Sequence, residues 1–234
     1  LDGGGGSDTL SYAGSNTRVT VNLQNNTATG GHATGDVISL FENITGSAFN
    51  DTLTGNNDAN TIEGGAGADT LDGAGGFNDT VSYRYSNAGV TVNLLNNTAS
   101  GGHATGDTIL RFENIEGSSY GDTLTGSALN NVIRGGAGID TIDGGRGADT
   151  IEGGADNDIM TGGMGPDTFM FQASETSSAD HITDYNVFED QLHLDLADGE
   201  TTDITITFEN IDGLRADIVV GFGNGSTVTL DDMA

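Results

Sequence analysis

A nine-residue phrase recurs in fixed phase along this chain, and it constrains the fold more than any other feature. Gly64 opens GGAGADTLD, Gly135 opens GGAGIDTID, Gly144 opens GGRGADTIE, and Gly153 and Gly162 continue with GGADNDIMT and GGMGPDTFM. Weaker copies keep the frame: GGGGSDTLS from Gly3, GSAFNDTLT from Gly46, GNNDANTIE from Gly55, GSSYGDTLT from Gly117 and GSALNNVIR from Gly126. The copy from Gly73, GAGGFNDTVS, carries one extra residue before its aspartate, so its turn is expected to bulge.

Within each copy the glycines permit positive φ and close backbone approach in a six-residue turn. The triplet that follows alternates outward, inward, outward as a short strand, which points Leu71, Ile142 and Ile151 into a core. One triplet buries a single side chain, so no copy folds alone. Stacking strands about 4.8 Å apart supplies both the backbone pairing and a continuous core.

Charge narrows the partners. Lys and Arg number 6 against 35 Asp and Glu, a formal net charge of -29, which disfavours nucleic acid and anionic lipid and favours cations. Carboxylates this dense repel one another and, without cations, hold the chain expanded. With no cysteine, thiolate zinc and disulfides are excluded. The sixth-position aspartates form a ladder of carboxylates beside glycine carbonyls. That oxygen-rich donor set suits Ca²⁺, which takes about 6–8 oxygen ligands at roughly 2.3–2.6 Å. Composition alone would also permit a disordered Gly/Asp-rich linker, but the common phase of Gly, Asp and inward hydrophobe argues against it.

The phrase resembles the repeats-in-toxin (RTX), or hemolysin-type, calcium-binding nonapeptide GGxGxDxUx. The resemblance implies an all-β chain: a right-handed parallel β-roll with a C-terminal β cap, whose turns stack alternately on two sides with each ion between copies two apart. Carried over, Asp140 and Asp158 line one side, and Asp149 and Asp167 the other. Asp8, Asp51, Asp69, Asp79 and Asp122 are ligand candidates in the other copies, while Asn60 and Asn131 replace the aspartate and imply weaker or absent sites. The glycines expected to present carbonyls are Gly64, Gly65, Gly67, Gly135, Gly136, Gly138, Gly144, Gly145, Gly147, Gly153, Gly154, Gly162, Gly163 and Gly165. Asp156, Asp180 and Asp184 are further acidic candidates.

A second period of about 71 residues overlies the first. VTVNLQNNTATGGHATGD from Val19 returns as VTVNLLNNTASGGHATGD from Val90, and FENI returns from Phe112. The expected organisation is a partial repeat at 1–11, spacer coils at 12–45, a calcium roll at 46–82, a second spacer at 83–116, a second roll at 117–170, and a cap with an export-signal region at 171–234. The segment after Phe169 resembles the cap of serralysin-type metalloprotease C-terminal domains, with Phe169, Phe171, Ile182, Tyr185 and Leu192 as its candidate apolar residues. Such a stack needs a closed end, since bare strand edges aggregate. The final stretch reads as antiparallel hairpins. The start has neither an initiator Met nor a signal peptide, so the chain is expected to be a fragment of something longer.

Other chemistries fit less well. GSSYG at Gly117–Gly121 is formally the Gly-x-Ser-x-Gly of a hydrolase elbow, but that motif needs a strand-to-helix turn at Ser119. His32, His103, His181 and His193 could ligate metal, yet no HExxH occurs. Glycosidase-like acid catalysis needs a carboxyl kept neutral, whereas calcium would keep these ionised. The chain is therefore expected not to be an enzyme. Extracellular polysaccharide binding is the alternative; with no Trp it would rest on Tyr12, Tyr83, Tyr85 and Tyr120, which otherwise cap the core. The expected role is a calcium-loaded structural and export module of a secreted protein, passed unfolded through type I secretion machinery of a Gram-negative bacterium and folded outside. No run of about 18 apolar residues spans a membrane.

Overall fold

A computed structural model describes residues 1–172, 178–195, 205–209, 217–221 and 227–230. The chain forms two compact units, Leu1–Ser119 and Tyr120–Ala234.

The first unit contains β1 (Thr9–Ser11), β2 (Thr20–Asn22), β3 (Thr27–Thr29), β4 (Asn43–Thr45), β5 (Thr52–Thr54), β6 (Thr61–Glu63), β7 (Thr70–Asp72), β8 (Thr80–Ser82), β9 (Thr91–Asn93), β10 (Thr98–Ser100), β11 (Thr108–Leu110) and β12 (Asn114–Glu116). The second contains β13 (Thr123–Thr125), β14 (Val132–Ala137), β15 (Thr141–Arg146), β16 (Thr150–Ala155), β17 (Ile159–Met164), β18 (Thr168–Gln172), β19 (Ala179–Ile182), β20 (Gln191–Asp195), β21 (Thr205–Glu209), β22 (Asp217–Gly221) and β23 (Thr227–Leu230).

Successive repeat strands go to opposite sheets, which makes a parallel β-roll. In the first unit one sheet runs β1-β4-β6-β8-β12, and the other pairs β2, β5, β7 and β11 in parallel. In the second, β14-β16-β18-β20 faces β13-β15-β17-β19-β23. Register stacks the inward residue of each triplet on its equivalent: Val21, Leu53, Leu71 and Ile109 form one ladder, and Leu124, Ile142, Met160, Ile182 and Leu230 another. The members of both ladders are buried. Burying each such side chain contributes about 1.5–3 kcal/mol, so stability grows copy by copy. The inward direction expected for Leu71, Ile142 and Ile151 is observed.

Two features differ from the simple triplet. Strands β14 to β17 are 6 residues long because the glycine pairs stack in register, Gly136 on Gly154 and Gly145 on Gly163, and continue the pairing. The spacers are not only looser coils: β3 folds back antiparallel on β2, and β10 on β9. Asn26 and Asn97, both at φ 53, make these reversals, because asparagine tolerates the left-handed region. The insertion at Gly73 does bulge its turn, with positive φ at Ala74, Gly76 and Asn78.

Of the residues expected to cap the roll, Phe169, Phe171 and Ile182 are buried and Leu192 is half-buried; the Phe169 and Tyr185 rings lie 6.2 Å apart. Strands β21, β22 and β23 pair antiparallel, as the terminal pattern suggests. Residues 231–234, within the expected export-signal region, lie outside the described residues. Among the described residues no helix is long and apolar enough to cross a membrane.

Candidate metal centre

Each repeat strand is preceded by its turn aspartate, or by Asn60 or Asn131 in its place, and stacking in register brings these residues into columns. One carboxylate oxygen of such an aspartate is used by the backbone below it. In the second unit Asp122 N–H donates to Asp140 Oδ1 at 2.7 Å, and Asp140 N–H to Asp158 Oδ1 at 2.9 Å; in the other column Asn131 N–H donates to Asp149 at 2.7 Å and Asp149 N–H to Asp167 at 2.9 Å. The first unit repeats the pattern: Asp51 N–H reaches Asp69 at 2.7 Å, and Asn60 N–H reaches Asp79 at 2.8 Å.

The second oxygen separates the copies. Oδ2 of Asp8, Asp69, Asp140, Asp149, Asp158 and Asp167 is buried with no hydrogen-bond partner. An unpaired buried charge is strongly unfavourable, so these 6 atoms demand a counterpart. Glycine backbone surrounds them. A Cβ built on Gly144 would lie 2.7 Å from both Asp149 Oδ2 and the Gly162 carbonyl oxygen; one on Gly135 would collide with Asp140 Oδ2 and stand 2.5 Å from the Gly153 oxygen. Gly64, Gly153 and Gly162 are likewise pressed against Oδ2 of Asp69, Asp158 and Asp167. Carboxylate plus carbonyl oxygens are the hard donors calcium takes. Among the described residues no three His, Cys, Asp or Glu side chains converge into a metal cluster. A cage here is consequently one of backbone carbonyls completed by carboxylate, and the residues fit Ca²⁺ rather than zinc.

The electrostatics agree. Burial pushes Asp140 up to about 8, and Asp69, Asp149 and Asp158 to about 7; backbone N–H bonds oppose the shift and neighbouring carboxylates, such as Asp158 and Asp122 around Asp140, add to it. Burial also raises Asp79 and Asp167 to about 6.

The remaining candidates are held differently. Asp51 Oδ2 accepts from the Ser47 N–H and hydroxyl. Asp180 Oδ1 accepts from Asp158 N–H at 2.9 Å, which extends the column into the cap. Asp184 accepts from the amides of Gly162 and Gly163 at 2.9 and 2.8 Å, and Asp156, at φ 80, from Gly138 N–H at 3.2 Å. Sequence reasoning missed other members of the columns: Glu42, Asp107, Glu113 and Asp190 accept from the N–H of Asp8, Asp69, Asp79 and Asp167. For three of them the signal was the duplication, since Glu42 and Glu113 share FENI and Asp107 closes the repeated GGHATGD, whereas Asp190 lies in no repeated phrase.

Ser119 sits in an exposed bend whose next element is β13, not a helix. His32 and His103 lie in short 3-10 turns, His181 on β19 and His193 on β20. Tyr12 and Tyr83 are buried and donate to Asp36 and Asp107 at 2.8 and 3.0 Å, whereas Tyr85 and Tyr120 are exposed.

The family model for the RTX calcium-binding nonapeptide repeat matches residues 45–81, 116–149 and 134–169. The chain carries RTX calcium-binding repeats. Ca²⁺ is the cofactor of such repeats, bound at several sites. Among solved structures the chain is similar to the extracellular lipase LipA from Serratia marcescens, at 22% identity and a TM-score of 0.40, over 82% of this chain and 38% of the lipase. It thus spans well under half of that protein's length. No curated protein matches it.

Proposed function

We propose that this chain is a structural module of a secreted protein whose folding is driven by calcium after export through type I secretion machinery. The observation that carries this reading is the set of 6 buried carboxylate oxygens without a donor, all but that of Asp8 within the residues that match the RTX repeat. The net charge of -29 works in the same direction. At low calcium the folded roll would confine unneutralised charge, and the chain stays expanded, the state a narrow secretion channel accepts. Bound Ca²⁺ supplies the positive charge that lets these carboxylates remain ionised inside the fold. Asp69, Asp140, Asp149, Asp158 and Asp167, with the carbonyls of their glycine neighbours, would hold it, as would Asp8 in its weaker copy. An ion that binds only the folded state stabilises it by RT ln(1 + [Ca²⁺]/Kd), about 2.7 kcal/mol per independent site at 100-fold excess over Kd. Any catalytic activity belongs to other parts of the parent protein.

Polysaccharide binding draws less support, since of the four tyrosines considered as a sugar platform Tyr12 and Tyr83 are withdrawn into the core and Tyr85 and Tyr120 remain exposed. The test is far-UV circular dichroism of the EDTA-treated chain, titrated with calcium and separately with magnesium. A cooperative gain of β signal with calcium at concentrations where magnesium has little effect is expected, because magnesium demands a tighter octahedral shell. A fully folded metal-free chain would overturn the reading.

A further inference from the structure

Two kinds of turn stand apart, and the second residue of the turn separates them. In the copies of Asp8, Asp69, Asp140, Asp149, Asp158 and Asp167 that residue is a glycine at positive φ, for example Gly136 at 116 and Gly145 at 98, and the aspartate Oδ2 is left without a donor. Call these turns open. In the turns of Asp51, Asn60 and Asn131 the second residue is Ser or Asn, it has no positive φ and the turn closes on itself. Its N–H donates to the sixth-position side chain four residues on: Ser47 to Asp51, Asn56 to Asn60 at 2.7 Å, and Ser127 to Asn131 at 2.6 Å. Its own side-chain oxygen accepts the N–H two residues on, with Phe49 on Ser47 at 3.2 Å, Asp58 on Asn56 at 2.8 Å and Leu129 on Ser127 at 3.1 Å.

The same pair of bonds appears in the cap, where no nonapeptide was legible. Asn186 N–H donates to Asp190 Oδ2 at 2.8 Å, and Phe188 N–H donates to Asn186 Oδ1 at 3.1 Å. Asp190 in turn accepts Asp167 N–H, so one column of the second unit reads Asn131, Asp149, Asp167, Asp190: closed, open, open, closed.

We infer that the second turn residue decides whether a turn takes an ion: glycine opens it, while Ser or Asn satisfies the sixth-position oxygen internally, so that the closed turns complete the column without metal. This rests on the reading of calcium as the ion of the open turns. It assigns Asp51 to a closed turn despite its matching position in the repeat. Physically, an oxygen already holding two donors gains little from an ion that must displace them, whereas an orphaned one gains most.

The test counts calcium bound per full-length chain by equilibrium dialysis, with far-UV circular dichroism to establish folding. Asp149→Asn, in an open turn, is expected to lower the count by about one, and the equally conservative Asp51→Asn, in a closed turn, to leave it unchanged. Opening a turn with the pair Ser127→Gly and Asn131→Asp should raise it by about one. A lower count in Asp51→Asn overturns the inference even if the pair fails to fold, as does an unchanged count in a folded pair. Wild-type chain that binds no calcium sinks the underlying reading, a result distinguishable from either.

Discussion

The backbone N–H of Asp149 donates to Oδ1 of Asp167 at 2.9 Å while Oδ2 of the same carboxylate meets no donor. The half of the carboxylate that holds the column together is thereby distinct from the half offered to a cation. The column geometry is set by protein hydrogen bonds, and the charge is left to be neutralised from outside.

Acid is one way to neutralise it. Burial holds Asp140 at about 8 and Asp69, Asp149 and Asp158 at about 7, against an ordinary value of 3.8. The folded, calcium-free chain therefore binds protons that the unfolded chain releases, so its stability is fullest below about pH 4 and is lost as pH rises through about 8. EDTA-treated chain should show more β signal by circular dichroism near pH 5 than near pH 8, with the difference removed by calcium. Relief of general charge repulsion acts in the same direction, so Asp140→Asn is the control: it should reduce the dependence between about pH 7 and 8. A metal-free chain more ordered at pH 8 would refute the assignment.

Packing around the open turns makes a sharper distinction among glycines. A Cβ on Gly135 would collide with Asp140 Oδ2 and approach the Gly153 carbonyl at 2.5 Å, whereas nothing lies within 4 Å of a Cβ on Gly5. Neither glycine has positive φ, so the contrast isolates crowding from backbone strain. Chemical denaturation of the calcium-loaded chain should find Gly135→Ala destabilised by about 1–3 kcal/mol, as for overpacked sites, and Gly5→Ala within about 0.5 kcal/mol. Equal effects would mean that the cradle is looser than described.

Asp156 tests the backbone instead. It holds φ 80 at the fourth position of its turn, where the other open turns of the second unit have Gly138, Gly147 and Gly165. Asp156→Gly should be tolerated, trading the bond from Gly138 N–H for relief of the left-handed strain. Asp156→Ala loses that bond and keeps the strain, so it should cost about 1–2 kcal/mol, read by the same denaturation experiment. An alanine variant as stable as the glycine variant would show that φ carries no penalty here.

The repeat made much of this legible in advance. Phase gave the inward direction of Leu71, Ile142 and Ile151, because a nine-residue period in a roll leaves little freedom of register, and the resemblance to the calcium-binding repeat implied the columns of Asp140 with Asp158 and Asp149 with Asp167. The antiparallel return of β3 on β2 was not legible: VTVNL and the following TAT carry strand character but no sign of which neighbour they pair with. Nor was the part played by Asp190, because the turn at Asn186 shares no glycine with the repeats and matches them only in its hydrogen bonds. The position of the tyrosines was open between sugar platform and core, and only packing decided Tyr12 and Tyr83.

Those two tyrosines supply the last prediction, because the duplication provides its own control. Tyr83 donates to Asp107 Oδ2 at 3.0 Å, and Tyr12, 71 residues earlier in the duplicated module, to Asp36 Oδ2 at 2.8 Å. Asp107 is buried and its other oxygen already accepts Asp69 N–H, so losing the tyrosine strands an oxygen away from water; Asp36 is only half-buried and water can replace the phenol. Leaving a buried acceptor unpaired costs about 1–3 kcal/mol, more when it is charged. Tyr83→Phe should therefore destabilise the calcium-loaded chain by that amount and Tyr12→Phe by less, measured as the shift in denaturation midpoint. Removing the phenol also removes a bond that opposes the burial-driven rise of Asp107 from its ordinary value to about 6. In Tyr83→Phe the Asp107 carboxyl should therefore titrate at higher pH than in the wild type, followed by NMR of its side-chain carbonyl. Equal loss of stability in the two variants, with no movement of Asp107, would mean that the two tyrosines act by ring packing alone.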